Sequence, residues 1–479
     1  MIRKYLNSTL PSPARKRFVL SSFKGVDTRV AEEKLPFSYA PKSYNFAFEK
    51  GVLETGTGMS AAVMKVNGRD WEIQKAAGSG KFLRFFSYTM HSGQYRQDRL
   101  VAYADDGKLY DLRFNALTAF APVGSYGEVL CAVPYTFEGN EGLLFSSTQG
   151  LYYLSGLAAD DLGMSEPIDS MCVHSERVFA CFKNDPFKLR FSDDFDPSNW
   201  NVSLREGGYI SFTAEMGRII KVVSFGGYLY VFFEHGIARI TAFNDQTQFS
   251  VKKLYLSVGL INKDTITVCG DRILFSAADG VYVFDGLSVG KVLKELEGLF
   301  SEAQPGSNGA FHNGKYYLAC SLDMDSSIVN APNSLLIYDV WTGKTEIAHD
   351  LTISCMIGVN NASFSGVMAE ANYPVNFLGL IDRSGSVNST VTYKLWRSPL
   401  TSFGSNRGRK MLREIRVRAE GNATITVELD GSPFAFPIHT GLNKIRVRRL
   451  FDKLSVAISS ESESVRVTEA DMVVDFFGD

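Results

Sequence analysis

The chain has 479 residues, of which 45% are hydrophobic, 13% aromatic and only 21% charged, with a formal net charge of −2. That is apolar mass enough for a large core and for two or three units, and 42 glycines beside so many aromatics favour strands and turns over helices. The net charge by itself predicts no polyanion partner, and no apolar run reaches the ~18–20 residues of a membrane span.

Residues 1–35 carry Pro11 and Pro13, with Pro36 just beyond, and show little periodicity, so an extended arm is expected there. The arm is basic: up to residue 24 it holds Arg3, Lys4, Arg15, Lys16, Arg17 and Lys24 and no acid. Its opening, MIRKYLNSTLPSPARKRF, lacks the apolar middle of a signal peptide, so export by that route is not expected. The segment from Phe23 to Gly58 is read as leading into the first repeat of a ring and closing it against the last.

From residue 36 to 391 one unit recurs: a short strand rich in aromatic and β-branched residues, a turn carrying Gly, and a returning strand. Copies run from Asp98 to Leu112, Glu141 to Gly156, Glu176 to Asp193, Gly226 to Phe243, Gly270 to Gly286 and Gly314 to Gly343. A seventh, weaker copy is read from Phe377 to Val391. The spacing of about 35–50 residues is that of propeller blades, and two less regular strands between hairpins complete a four-stranded blade. The fold class is therefore all-β: a propeller of six or seven blades, then a small sandwich. In the copy from Gly226, Leu229, Val231 and Phe233 face one way and Tyr228, Tyr230 and Phe232 the other, so both faces are apolar and the strand lies between packed sheets. Gly107, Gly150, Gly236 and Gly280 are assigned to the blade turns, as are Asp196 and Trp200 in SDDFDPSNW. VGKVLKELEGLF, from Val289 to Phe300, reads as one short helix.

Residues 392–479 change pattern. LREIRVRAEG, ATITVELDG, KIRVRRL, KLSVAISS and VRVTEADMVVDFF alternate strictly, with Ile415, Val417, Ile425, Val427 and Leu429 on one face and charges between them. That is a small antiparallel sandwich with one wet face, its start Arg-rich: Lys394, Arg397, Arg407, Arg409, Lys410, Arg413, Arg416 and Arg418 against Glu414 alone. Two basic segments in a chain of net charge −2 leave the remainder acidic, a distribution that suits contacts with neighbouring copies or with DNA passing nearby.

No catalytic constellation stands out. GSGK at Gly78 to Lys81 lacks the flanking residues of a phosphate loop, having Lys75 for the first Gly and Phe82 for the Ser or Thr. Asp193, Asp194 and Asp196, and Asp323 with Asp325, could hold a hard cation but show no calcium-loop spacing. SDDFDPSNW invites comparison with the Asp-box turn of sialidase-like propellers, without its Gly and Thr. The six histidines have no ligand spacing and the six cysteines no CxxC pair. No enzyme activity, cofactor or metal is expected, and the cysteines read as buried thiols in a reducing compartment.

Four segments together touch most of the chain: FKGVDTRV with SYNFAFEKGVLETGTG; LRFSDDFDPSNW through GGYISF and VVSFGGYLYVFFEHGIARI; VGLINKDTITVCGDRILFSAADGVYVFDG; and YKLWRSPLTSFGSNRGRKMLREIRVRAEGNATITVELDG. In this order they resemble the β-propeller proteins of tailed-bacteriophage virions, notably the tail-nozzle (tail tubular B-like) proteins of short-tailed phages and related neck components. The resemblance implies a structural virion protein of the tail or neck, assembled in the host cytoplasm. Its copies would form a ring, six around the tail axis, continuing the DNA exit channel. It would dock on a head–tail adaptor and carry fibre or tip proteins, with transient contact to exiting DNA. Docking would then fall to Arg3, Lys4, Arg15, Lys16, Arg17, Arg407, Arg409, Lys410 and Arg413. An intracellular propeller scaffold that binds peptides, and a glycan-binding or glycan-cleaving propeller, remain the alternatives.

Overall fold

In the computed structural model the described residues are 13–20, 22–92, 95–114, 116–203, 207–242, 246–255, 259–301, 304–403 and 409–477. The chain divides into two units: residues 60–345 with 350–381, and residues 1–59 with 346–349 and 382–479.

The first unit is a β-propeller. Among the described residues seven antiparallel meanders follow one another, beginning with the strands Phe82–Ser92, Val129–Phe137, Ile168–His174, Ile219–Phe225, Thr267–Val268, Asn308–His312 and Thr352–Asn360. The first five are four-stranded, and the last two contribute three strands each within this unit. Innermost strands of successive blades pack side by side, and Thr352–Asn360 packs on Phe82–Ser92, which closes the ring. The blade count thus settles at seven.

Apolar residues on both faces of each strand drive this arrangement. In blade four, Leu229, Val231 and Phe233 are buried with Phe179, Cys181 and Leu189 of blade three. Tyr230 and Phe232, on the opposite face, are buried with Phe275, Tyr282 and Phe284 of blade five. Such a seam recurs between blades one and two, two and three, and seven and one. The seventh repeat lies elsewhere than expected: Phe377–Asp382 is the third strand of its blade and pairs with the preceding Ser365–Tyr373, whereas residues beyond 382 belong to the other unit. The segment read as a helix is instead the strand Val289–Val292 and a 3-10 turn, Lys294–Leu299, since Val289 and Val292 answer Phe284 and Val281 across a ladder.

The second unit is a two-sheet sandwich. One sheet runs Phe46–Glu49, Val52–Thr55, Arg466–Phe476, Lys410–Glu420, Gly441–Phe451, and Ala14–Leu20 also pairs along Arg466–Phe476. The other runs Lys42–Tyr44, Lys394–Arg397, Leu454–Ser460, Ala423–Leu429, Ser432–Ile438. Ile415, Val417, Ile425, Val427 and Leu429 are buried between the sheets beside Trp396, whose ring meets Phe23 edge-on at 5.0 Å and whose indole N–H donates to the Lys24 carbonyl at 3.1 Å.

Two expectations are corrected here. The described part of the N-terminal segment is no extended arm: residues 14–20 are a strand of the sandwich, in register from Ala14 opposite Phe476 to Leu20 opposite Ala470. The boundary set at residue 36 falls too early and that at 391 too late, because Lys42–Thr55 pairs inside the sandwich unit; the closure expected of the segment ending at Gly58 falls to the strand Gly58–Ser60, which lies beside Phe377–Asp382 in the sheet of the last blade. A strand was also missed, Ser432–Ile438, which carries Pro433 and Pro437. Proline cannot donate to a ladder, and this strand tolerates two because it lies at a sheet edge.

Candidate functional site

The innermost strands surround the propeller axis. Five of them share an irregularity at their start, between Phe82 and Arg84, Val129 and Cys131, Ile168 and Ser170, Ile219 and Lys221, and Ile353 and Cys355. Bulges re-aim side chains, and here polar groups gather at this end. Lys263, in the turn before blade five, reaches Asp169 of blade three at 2.8 Å. Its neighbour Asp264 lies 3.7 Å from Arg84 of blade one. Lys221 of blade four is buried beneath that turn and donates to the carbonyl oxygens of Ile266 at 2.8 Å and Lys263 at 3.4 Å. Burial without a carboxylate in contact drives its amine down to about 8. One turn therefore bridges blades one, three, four and five at the strand starts.

At the strand ends lies a cavity of about 660 Å³. Its wall comes from the inner strands of blades one, two, three and seven, with Tyr88, His91, Arg99, Tyr135, Val173 and Asn360 among the lining residues. Arg99 is buried and donates to the Tyr88 hydroxyl and the Gly156 carbonyl at 3.0 Å each, with Asp111 at 3.5 Å. Desolvation raises Asp111 despite Arg113 and Arg99, and pushes Tyr88 to about 12. At the rim, Asp98 accepts from Thr89 at 2.6 Å and from Arg96 at 3.0 Å. His91 Nδ1 lies 2.8 Å from Glu141, and this contact with the ring holds Glu141 below its ordinary range.

The SDDFDPSNW loop acquires a place here. Arg177, buried, binds Asp194 at 2.7 Å and the Ser192 carbonyl at 2.9 Å. Asp196 accepts from the amide and hydroxyl of Ser198 at 2.9 and 2.6 Å, and Trp200 donates to the Pro197 carbonyl at 2.8 Å. Between these anchors Phe195 sits in left-handed backbone (φ 58°), its amide donating to the Glu176 carbonyl at 3.0 Å, and its ring lies on the cavity rim, 62% exposed. No group of three His, Cys, Asp or Glu side chains that could hold a metal occurs among the described residues.

The blade glycines stand beside two-residue turns. Gly150, Gly236 and Gly280 each open the third strand of a blade, opposite Ser147, Phe233 and Ala277, so the turn residues are those just before them. Gly107 takes left-handed backbone (φ 79°), and a Cβ on Gly150 would lie 2.6 Å from the Met164 carbonyl oxygen. These are the two demands that glycine meets.

The expected docking residues are not one free patch. Arg3, Lys4 and Arg407 lie outside the described residues. Arg15 and Arg413 both bind the buried Asp475, Arg17 binds the buried Asp471, and Lys16 lies 5.1 Å from the Phe476 ring centre. Arg15 leads in holding Asp475 below the usual carboxylate range. Lys410 is buried, donating to the carbonyls of Asp452 at 2.9 Å and Ser402 at 3.1 Å. Arg409 is exposed, as are Arg15, Lys16 and Arg17. Strand pairing sets the buried Asp471 and Asp475 of the C-terminal strand beside Arg15, Arg17 and Arg413, which are therefore paired at the surface of the sandwich.

A different basic surface replaces them. Gly441–Phe451 is an eleven-residue edge strand exposing Lys444, Arg446, Arg448 and Arg449. Arg446 is opposite Glu414, but Lys444 is opposite Arg416, a like-charge pair. Arg449 covers the Phe434 ring at 4.1 Å. The alternation in KIRVRRL was the available signal.

No family model matches the chain, and no curated protein matches it. Among solved structures, the chain is similar to BBS1N in its complex with ARL6DN at 9% identity and a TM-score of 0.42, covering 64% of this chain and 94% of that one. It is similar to the extracellular domain of the one-component system BT4673 from B. thetaiotaomicron at 9% identity and a TM-score of 0.43, covering 86% of this chain and 58% of that one.

Proposed function

We propose that this chain is a non-enzymatic structural protein of a bacteriophage tail or neck, whose copies associate into a ring through the sandwich unit. The supporting observation is the edge strand Gly441–Phe451. A long unpaired strand edge is a template for pairing with another chain, and like charges set directly opposite each other cost stability within the molecule. Lys444 lies opposite Arg416 on the wet face, and Glu414 pairs with Arg416, so Lys444, Arg446, Arg448 and Arg449 remain an exposed basic excess that an acidic surface of a neighbouring copy would answer. The chain can supply such a surface, since its net charge is −2 despite the basic sandwich face. The order of the four family-like segments supports the tail or neck setting, with an adaptor above and fibre or tip proteins below as further partners.

Mass photometry of the full chain tests this. The wild type should form a discrete oligomer that dissociates as salt rises, and the double variant K444E/R448E, which sets an acid opposite Arg416, should stay monomeric while still unfolding cooperatively. A wild type that is monomeric at every salt concentration overturns the reading.

A further inference from the structure

The axial cavity has features that ring assembly does not use. Tyr135, on the inner strand of blade two, is 8% exposed and lines the cavity, yet its hydroxyl is buried without a hydrogen-bond partner. A buried polar group is normally paired, so an orphan beside a cavity points to something that arrives there. Glu176, on the same wall, occupies a tight turn in which both Ser175 (φ 45°) and Glu176 (φ 73°) are left-handed. Left-handed backbone at both positions is what the two-residue hairpin turn between His174 and Arg177 requires, and this turn sets Glu176 on the cavity wall. The Phe195 amide is held on the Glu176 carbonyl, and both residues line the cavity, Phe195 with its side chain exposed.

The chemistry of the lining selects the ligand. Arg96 and Arg99 are countered by Asp98, Glu141 and Glu176, so the wall has no dominant sign and suits neither a phosphate nor a polycation. It alternates donors with acceptors and adds the exposed face of Phe195. A pyranose has matching properties: each hydroxyl both donates and accepts, and one ring face presents C–H groups that stack on an aromatic. The volume of about 660 Å³ lies within the ~300–1,000 Å³ of small-ligand sites. We propose that this cavity, at the inner-strand ends of blades one, two, three and seven, binds a short uncharged saccharide. Glu176 and the Tyr135 hydroxyl would take its hydroxyl groups, and Phe195 its ring face.

The test is saturation-transfer NMR followed by calorimetry on the full chain, with glucose, galactose, N-acetylglucosamine, maltose, lactose and cellobiose as probes and a short lysine-rich peptide as the competing class. At least one sugar should bind. E176Q should weaken it about tenfold, the loss of a charge-assisted hydrogen bond, and F195A by a similar factor through lost stacking. Y135F separates binding from folding: the free protein loses no hydrogen bond, so its melting temperature should hold or rise while sugar affinity falls a few-fold. Failure of every sugar to bind, binding of the peptide in their place, or sugar affinity indifferent to E176Q, F195A and Y135F would each overturn the proposal. None of these outcomes bears on the oligomeric state.

Discussion

The two units use the same alternating strands in opposite ways. In the propeller both faces of a strand are consumed, as Leu229, Val231 and Phe233 pack toward one neighbour and Tyr230 and Phe232 toward the other. Its solvent-facing features are therefore turns, rims and the axial well. In the sandwich one face of each strand is buried, and the other is left wet and charged, ending at the open edge Gly441–Phe451. A structure that spends its apolar surface on itself presents a rigid frame and a small cavity. One that spends half of it retains a broad face for another molecule.

The sharpest way to break that contrast is to remove a side chain from a two-sided seam. Phe232 is fully buried and meets Phe275 edge-on at 5.6 Å, so Phe232→Ala should cost about 3–5 kcal/mol. Chemical denaturation followed by tryptophan fluorescence reads this, and a loss under 1 kcal/mol would mean that the seam does not bear the blade packing.

A comparably large effect is expected from pH, because lysine amines are buried against carbonyls in both units. Lys394 in the sandwich donates to the oxygens of Ser462 at 2.8 Å, Thr392 at 3.2 Å and Gly385 at 3.3 Å, and burial drives it down to about 8. The unfolded amine titrates near ~10.4, so between those values the unfolded state binds more protons and the Lys394 contribution to stability rises with pH, by up to about 3 kcal/mol. The buried cysteines, pushed upward, act in the opposite direction above their ordinary range. The quantity to measure is thus the stability of wild type minus that of Lys394→Met, which should grow from pH 7 to 10. A flat difference contradicts the burial argument.

A subtler change sharpens the role of the N-terminal strand. Asp475→Asn weakens the hold on Arg15 and Arg413, and trypsin should then cleave at Arg15 and Arg17 faster than in the wild type. The smallest effect is that of Gly107→Ala, about 1 kcal/mol for forcing a Cβ into left-handed backbone. Thermal melts resolve a loss of that size.

Six hairpins were legible because each pairs two strands rich in aromatic or β-branched residues close in sequence, four of them with a Gly beside the turn: Gly107, Gly150, Gly236 and Gly280. The seventh was not, since its turn runs through Pro374 without a glycine and its second strand, SGVMAEANY, is built of small residues. The N-terminal strand was misread for a longer-range reason. ARKRFVL shows unbalanced charge locally, and its partners Asp471 and Asp475 lie at the other end of the chain. The cavity left no sequence signature, because Tyr135, Glu176 and Phe195 come from different strands and turns and only blade stacking brings them together. The bulge recurring at the start of the inner strands was a repeat available to the eye, but its phase is set by buried residues that look like any other strand opening.

The account turns on the sandwich being the face that holds neighbours. Electron microscopy of the purified full chain at low salt tests this most directly. Rings in which adjacent copies meet through the sandwich, with the edge strand Gly441–Phe451 at the contact, are the predicted result. Dispersed single propellers, or rings joined through blade rims with that edge facing solvent, would contradict it.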